Sequence, residues 1–442
     1  MEHDVSDSAG LAARRVAYAA LNDIFYRKRS LDEVFDARAQ TGQDFAVLEP
    51  RDRAFVRLLV SVVLKRANEF DAHLATLLHE PLEALAPAQM LTIFRLGMAQ
   101  LCILKTPAHA VVDTCVELAA AEGIAHHKSL VNAVMRRLVR EGYTPLDDRD
   151  AGRAMLPDWL WQEWVRDYGV ETSLDMAASL LDDAPVDFTL RDNAAENVEV
   201  WAQALQAQIL PTGSLRKSSG GFIPSLAGFD EGAWWVQNAA AAIPAKLLDL
   251  KGGMTVVDLC AAPGGKTAQL ATAGAQVIAL DRSAPRMKRL DENMARLKLD
   301  VKTVVADGAV WQPDALVDAV LLDAPCSATG TLRHQPDALW LKQPADQVKL
   351  AALQSRLLDN AWTMLRAGGV LVYCTCSLQK AEGEHQVDAF LARTPNAERV
   401  ALSAAGLEMA VTAQGDLRIL PHYWRESGGL DGFYIACLRK VA

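Results

Sequence analysis

The chain has 442 residues, of which 51% are hydrophobic and 23% charged, and its formal net charge is −10. Length and composition predict a globular protein of two or three domains, and the acidic balance argues against a general nucleic-acid coat protein while leaving room for a local basic groove. Seven cysteines without a paired spacing predict reduced thiols in the cytoplasm. No signal-peptide core or bilayer-length apolar run is visible, so we predict no membrane association.

Residues 1–142 are predicted to form an all-helical domain. Apolar residues recur there at helical spacing in several stretches, and strand-like alternation is missing. In the stretch from about 128 to 140, Leu130, Val134 and Leu138 are predicted to face the core. A glycine at 142, followed closely by a proline, predicts the end of the domain.

Residues 145–235 are predicted to be a small α+β connector module. We expect strands near 186–190 and 221–223, with a helix over 195–206 between them. Residues 215–221 read as a basic, glycine-bearing loop near the presumed cleft. The sequence leaves open whether this loop contacts phosphate or is only solvated.

From residue 236 to 442, strands and helices alternate, which predicts a doubly wound α/β domain with a mostly parallel sheet. The predicted strands are 255–260, 276–281, 301–307, 319–323, 370–376 and, at the end, 433–438. The predicted helices are 265–273, 284–297, 348–365 and 383–392. In such a sheet, chemistry gathers at the carboxyl ends of the strands.

Acidic residues stand at or near the ends of four successive strands, beside a glycine turn. They are Asp258, Asp281, Asp307 and Asp323. One aspartate alone is more often the cap of a turn or helix. Four of them in register beside Gly264 and Gly265 favour a cofactor site instead, because a strand-end carboxylate commonly binds a ribose diol.

The glycine turn is not of a phosphate-binding type. The pattern G-x-G-x-x-G is absent, and the phosphate loop of ATPases requires a glycine where Cys260 stands. The remaining candidate is an adenosine cofactor without a pyrophosphate, which points to S-adenosylmethionine. Lys266 is then expected near the carboxylate of its methionine part.

Cys326 and Cys376 follow two strands that are predicted to be neighbours. Adjacent strands lie about 4.8 Å apart, so both thiols are expected to face one pocket. A thiolate that attacks carbon 6 of a pyrimidine makes carbon 5 electron-rich enough to accept a methyl group. Spacing alone does not decide which cysteine is the nucleophile, and Cys374 leaves open a Cys-x-Cys metal site, which we disfavour because a second ligand cluster is missing.

Three motifs together resemble the RNA cytosine-5 methyltransferase family, the Sun/Nop/NSUN group. They are Asp258-Leu259-Cys260-Ala261-Ala262-Pro263-Gly264-Gly265-Lys266-Thr267, Asp323-Ala324-Pro325-Cys326-Ser327 and Thr375-Cys376-Ser377. The resemblance implies a class I Rossmann-like methyltransferase domain over 236–442. Within the family, the bacterial members that this chain resembles most carry a helical NusB-like RNA-binding domain ahead of the catalytic domain, which fits residues 1–142.

The resemblance also implies roles for individual residues. Cys376 is implied as the nucleophile and Cys326 as the assistant in product release. The implied S-adenosylmethionine site comprises Cys260, Ala261, Ala262, Pro263, Gly264, Gly265, Lys266, Asp281, Asp307 and Asp323. Asp323 and Pro325 are implied to lie beside the cytosine, and no metal site is expected. Asn238 stands where relatives usually carry an acid.

We therefore predict a monomeric cytoplasmic enzyme that methylates carbon 5 of a cytidine in small-subunit ribosomal RNA. Two alternatives remain open. Cys326 could be the nucleophile, as a Pro-Cys cysteine is in DNA cytosine methyltransferases, or the chain could be a non-catalytic RNA-binding assembly factor with a vestigial pocket. Intact motifs argue against the second alternative.

Overall fold

The computed structural model describes residues 3–218 and 221–441, with side chains from residue 10 onward. These residues form two compact units. The helical unit contains the chain up to residue 165 together with 169–181 and 334–342, and the sheet unit contains 166–168, 182–333 and 343 onward. The predicted boundaries of three domains stay a prediction. Within the described residues, no helix is long and apolar enough to span a bilayer.

Helices account for all the regular structure of described residues 3–142, as predicted. The helices up to residue 179 are α1 (His3–Arg27), α2 (Leu31–Arg38), α3 (Pro50–Leu77), α4 (Met90–Met98), α5 (Ala108–Ala121), α6 (Lys128–Glu141), α7 (Asp148–Met155), α8 (Asp158–Tyr168) and α9 (Val170–Ser179). Pro50 fits the first turn of α3 because its missing N–H would have no helical partner there. In α6, Val134 and Leu138 are buried as predicted, but Leu130 is exposed and Val131 takes its place in the core.

A four-stranded antiparallel sheet begins the sheet unit. Its elements are β1 (Val186–Leu190), α10 (Ala195–Leu205), β2 (Gln208–Ile209), β3 (Leu215–Lys217) and β4 (Trp234–Val236), in the order β2-β3-β1-β4. The strand predicted near 221–223 was wrong, because β1 pairs with β3 and β4 instead and Ile223–Ser225 forms a 3₁₀ turn.

The basic loop predicted at residues 215–221 is largely strand β3. Arg216 is buried and donates from its guanidinium to both carboxylate oxygens of Asp187, each at 2.7 Å. Lys217 donates from Nζ to the carbonyl of Leu205. Arg216 therefore offers no phosphate contact. Ser219 and Gly220 of this loop lie outside the described residues.

An eight-stranded, mostly parallel sheet with helices on both faces forms the remainder of the sheet unit. Its elements are α11 (Ile243–Lys246), β5 (Thr255–Leu259), α12 (Gly265–Thr272), β6 (Gln276–Asp281), α13 (Ala284–Leu297), β7 (Lys302–Val305), β8 (Val317–Asp323), α15 (Pro344–Met364), β9 (Leu365–Thr375), α16 (Glu384–Arg393), β10 (Ala397–Val400), β11 (Leu417–Ile419) and β12 (Phe433–Lys440); α14 (Ala338–Leu341) belongs to the helical unit. The strand order is β10-β12-β9-β8-β5-β6-β7, with β11 beside β12. Strands β5 to β9 run parallel, and β12 pairs antiparallel with β9, so the predicted α/β architecture is confirmed.

The short segment 334–342 packs inside the helical unit although it lies far along the chain. The ring of Trp340 meets Phe25 edge to face with centroids 4.8 Å apart, and its Nε1 donates to the carbonyl of Leu64 at 3.2 Å. The carboxylate of Asp337 accepts from the backbone N–H of Leu31 at the start of α2. Trp340 thus packs on the core of the helical unit, and Asp337 caps the start of α2.

Replacing Trp340 with alanine is expected to lower the stability of the helical unit by about 2–3 kcal/mol, because a packed indole and its hydrogen bond are lost. The thermal unfolding midpoint measured by circular dichroism should fall. Val348→Ala, which removes methyl groups from an exposed side chain, serves as the control. A Trp340→Ala midpoint equal to that of the control would contradict this packing role.

Candidate active site

The carboxyl ends of four parallel strands meet at one edge of the large sheet and carry the motif residues. β5 leads into the glycine turn, β6 ends at Asp281, β8 ends at Asp323, and β9 is followed by Cys376. Leu259 pairs with Leu322, and Asp323 pairs with Cys374. The strands that carry the two cysteine loops are therefore immediate neighbours, as predicted from the sequence.

The glycine turn after β5 forms one wall of a cavity of about 400 Å³. Gly264 has φ +102°, and a side chain there would also press a Cβ to 2.9 Å from Leu290 Cγ, so only glycine suits the turn. The cavity is lined by Phe229, Trp235, Val236, Gln237, Asn238, Ala241, Asp258, Ala261, Ala262, Pro263, Gly264, Gly265, Lys266, Asn293, Arg296, Leu297 and Asp323. Its size is that of a cofactor pocket.

Asp258 presents an unpaired carboxylate oxygen within this cavity lining. Its Oδ2 accepts from the hydroxyl of Thr267 at 2.6 Å, while Oδ1 has no hydrogen-bond partner among the described residues. Burial raises the pKa of Asp258 to about 7, because the charged form loses its hydration. A ligand with an ammonium group would satisfy the free oxygen, and S-adenosylmethionine has one, so the residues present fit that cofactor.

The other two predicted cofactor acids do not line the cavity. Asp281 is buried, accepts from the N–H of Ser283 at 2.9 Å and lies 3.3 Å from Nη1 of Arg286. Asp307 is exposed, and its carboxylate caps a turn through the N–H of Ala309. Among residues 3–218 and 221–441, no group of three or more His, Cys, Asp or Glu side chains is arranged to hold a metal ion.

The two cysteines form a close pair of thiols. Cys326 Sγ lies 3.4 Å from Cys376 Sγ, and both side chains are partly buried. The pKa of Cys326 is raised well above its usual value, chiefly by its hydrogen bond to Cys376 and further by burial. The two sulfurs are therefore within hydrogen-bond distance, and either of them could be the donor.

Asp323 has a partner for each of its carboxylate oxygens. Lys266 donates from Nζ to Oδ2 at 2.7 Å, and the buried thiol of Cys374 donates to Oδ1 at 3.4 Å. Burial alone would lower the pKa of Lys266, but the charge of Asp323 beside its ammonium outweighs burial, so this pKa is raised. Lys266 thus stays an ammonium. Cys374, for which the sequence predicted no role in catalysis, helps to orient Asp323.

Several lining residues of the cavity were not identified from the sequence. Phe229, Trp235 and Gln237 come from the chain around β4, which precedes the sheet that carries the motifs. Trp235 Nε1 donates to Gln237 Oε1, and Gln237 donates in turn to Gln269 on α12. The departure at Asn238 was the one signal that pointed to this segment.

Comparison with known protein families matches both parts of the chain. Residues 245–439 match the model of the family described as 16S rRNA methyltransferase RsmB/F, and residues 11–140 match the NusB family. The ribosomal RNA small subunit methyltransferase B of Xanthomonas campestris pv. campestris is 38% identical over 98% of this chain and 98% of its own length. That of Vibrio vulnificus is 34% identical over 89% and 93%.

Solved structures share the fold. The crystal structure of PH0851 superposes with a TM-score of 0.75 at 22% identity, covering 96% of this chain and 98% of its own. The structure of NSun6 from Pyrococcus horikoshii with SFG gives a TM-score of 0.54 at 21% identity, covering 65% and 98%. At these identities the likeness establishes the fold alone.

Proposed function

This chain belongs to the 16S rRNA methyltransferase RsmB/F family and is an S-adenosylmethionine-dependent methyltransferase, and we propose that it methylates carbon 5 of a cytidine in small-subunit ribosomal RNA. One observation carries the proposal. The sulfurs of Cys326 and Cys376 lie 3.4 Å apart in the same unit as a cofactor-sized cavity. Methylation of an exocyclic amine or a hydroxyl would have no use for such a pair.

We assign Cys376 as the nucleophile. Either sulfur of the pair could donate the hydrogen bond between them, so the assignment rests on the resemblance of Thr375-Cys376-Ser377 to the nucleophile motif of the family. The thiolate of Cys376 is the attacking species. The ammonium of Lys266 contributes a positive charge that favours an anion in the pocket.

The reaction starts when the thiolate of Cys376 forms a bond to carbon 6 of the cytosine and the electron pair shifts toward carbon 5. When bound, S-adenosylmethionine supplies the methyl group that carbon 5 takes. The proton of carbon 5 then passes to a base, and the double bond between carbons 5 and 6 re-forms. The bond between carbon 6 and the sulfur breaks, and its electron pair returns to the sulfur of Cys376. We assign Cys326 to this release step because its sulfur lies next to that bond.

The cofactor is assigned to the glycine turn from Cys260 to Lys266 and to Asp323, which lines the cavity. Asp281 and Asp307 are outside the cavity lining, and we assign them to the cofactor because they stand at or just after the ends of the next two strands of the same sheet. The free oxygen of Asp258 adds an acceptor for its ammonium. Asp323 and Pro325 are assigned beside the cytosine, which must be unpaired or extruded to reach the cysteines. We further propose that the NusB-like region binds the RNA, and that the enzyme acts as a monomer in the cytoplasm.

The proposal is tested by incubating the purified enzyme with S-adenosylmethionine carrying an isotopically labelled methyl group and with 16S rRNA from cells that lack this gene. Nucleoside analysis by mass spectrometry should show label in 5-methylcytidine at one position. Label in N4-methylcytidine, in a methylated adenosine or in a ribose would refute carbon 5 as the target.

A further inference from the structure

We propose that Glu382 is a positioning residue that holds the loops of Cys326 and Cys376 together and so sets the separation of their sulfurs. Glu382 is fully buried in a 3₁₀ turn between β9 and α16. It does not line the cofactor cavity, and nothing in the reaction requires it to touch RNA or cofactor. Its assignment deepens the proposed function, on which it depends.

The carboxylate of Glu382 binds the residue that follows each cysteine. The backbone N–H of Ser327 donates to Oε1 at 3.0 Å, and the hydroxyl of Ser327 donates to Oε2 in a short hydrogen bond. The hydroxyl of Ser377 donates to the same Oε2 at 2.6 Å. One side chain therefore ties the loop after β8 to the loop after β9 directly beside the two thiols.

The remaining contacts fix the carboxylate itself. Gln354 of α15 donates from Nε2 to Oε1 at 3.0 Å and to the carbonyl of Pro325 at 2.8 Å. The phenol of Tyr373 on β9 donates to the backbone carbonyl of Glu382 at 2.7 Å. Among residues 3–218 and 221–441, the donors to this carboxylate are a backbone N–H, two hydroxyls and an amide, so Glu382 acts as an acceptor with several neutral donors around it.

The two cysteine loops also meet through backbone contacts that leave little room for adjustment. The N–H of Gly330 donates to the carbonyl of Cys376 at 2.8 Å, and a Cβ at Gly330 would lie 2.7 Å from that oxygen and 2.1 Å from the carbonyl of Gly432. The loop after Cys326 thus packs directly on the nucleophile loop. Glu382 adds a side-chain link beside the contact between the Ser327 and Ser377 hydroxyls and beside Gln379, whose Oε1 lies within hydrogen-bond distance of both.

Two conservative variants separate reach from charge. Glu382→Asp keeps the negative charge, but it is one methylene shorter and cannot contact both serines. Glu382→Gln keeps the length: its carbonyl can accept from the Ser327 N–H and from Gln354, and its amide can donate to the two hydroxyls. The positioning role predicts damage from the aspartate and tolerance of the glutamine.

The separation of the sulfurs can be measured without RNA or methyl transfer. Phenylarsine oxide binds two close thiols by forming two arsenic–sulfur bonds, and its oxygen leaves as water with the two thiol protons. Tight binding needs both sulfurs, so Cys326→Ala identifies the signal of this pair. We expect Glu382→Asp to weaken this binding roughly 10- to 100-fold and Glu382→Gln to weaken it less than about threefold.

Exposed Glu398 provides the matched control, and Glu398→Gln should bind the arsenical like the unaltered protein. In methyl transfer, Glu382→Asp should lower kcat while KM for S-adenosylmethionine stays the same. Ser377→Ala removes the hydroxyl that links Glu382 to the nucleophile loop, together with its contacts to Ser327 and Gln379, and it replaces Glu382→Asp in the test if that variant fails to fold.

The proposal is overturned if Glu382→Asp and Ser377→Ala bind the arsenical as tightly as the unaltered protein, or if the unaltered protein does not bind it through both sulfurs. Weakened binding in Glu382→Gln together with normal binding in Glu382→Asp would show that charge rather than reach matters, and would also overturn it. Failure of the proposed carbon 5 chemistry would appear separately, in the nucleoside analysis, and would leave the arsenical result standing.

Discussion

Replacing Cys376 with alanine is expected to reduce methyl transfer by roughly 10⁴-fold or more, because the covalent route to an electron-rich carbon 5 disappears. Cys326→Ala should behave differently. Its nucleophile remains, so the covalent bond to cytosine still forms, but release is slow. The RNA–protein complex should therefore accumulate and be visible as a slowly migrating band in denaturing electrophoresis.

RNA that contains 5-fluorocytidine sharpens this comparison, because the fluorine blocks removal of a proton from carbon 5. The unaltered enzyme should be trapped on such RNA, and Cys376→Ala should not. Cys437→Ala, which truncates a buried thiol on β12 away from the pair, is the matched control and should be trapped normally. Trapping of Cys376→Ala together with loss of trapping in Cys326→Ala would reverse the assignment of the two sulfurs.

Replacing Asp323 with asparagine is expected to lower kcat by about 10²- to 10³-fold. The ammonium of Lys266 would lose the carboxylate that lies 2.7 Å from its Nζ, and the thiol of Cys374 would lose a charged acceptor. The pocket would then carry an uncompensated buried charge where cofactor and base are expected to meet. Steady-state kinetics with varied RNA and varied S-adenosylmethionine measure the loss.

Asp318→Asn serves as the matched control, because Asp318 lies at the opposite end of β8 and binds Arg366 instead. It should retain normal kinetics. An Asp323→Asn enzyme with unchanged kcat would exclude Asp323 from the reaction, and a change confined to KM for S-adenosylmethionine would restrict its role to cofactor binding.

The proximity of Cys326 and Cys376 could be predicted from the sequence because it depends on the parallel sheet, and each strand of that sheet is recognisable from its own residues. Continuous apolar strands separated by helices imply a parallel sheet, and residues that follow neighbouring strands of such a sheet must converge. The register of Asp323 with Cys374 confirmed that reasoning. The alternation of strands and helices also predicted a strand over 276–281, and β6 has these bounds.

The errors arose where pairing rather than local pattern decides the structure. Strands β3 and β4 have three residues each and exist only because β1 binds them, so neither could be read from periodicity. Arg216 looked like a surface cation, but its burial depends on Asp187, which lies on another strand. Leu130 was predicted to face the core because Leu130, Val134 and Leu138 follow helical spacing. Val131 fits the same spacing with Val134 and Leu138, and in the structure Val131 is the residue that is buried.

The network around Glu382 was invisible from the sequence for a related reason. Its donors come from the loop after β8, the loop after β9 and helix α15, and none of these lies at a fixed spacing from it. A glutamate in a short polar stretch is ordinarily a solvated residue. Only its complete burial distinguishes it.

The place of residues 334–342 in the helical unit has a consequence for biosynthesis. When the first nine helices have left the ribosome, the indole that packs on Phe25 has not yet been translated. The nascent helices must therefore wait, with one apolar face exposed, until the ribosome has added β1 to β8.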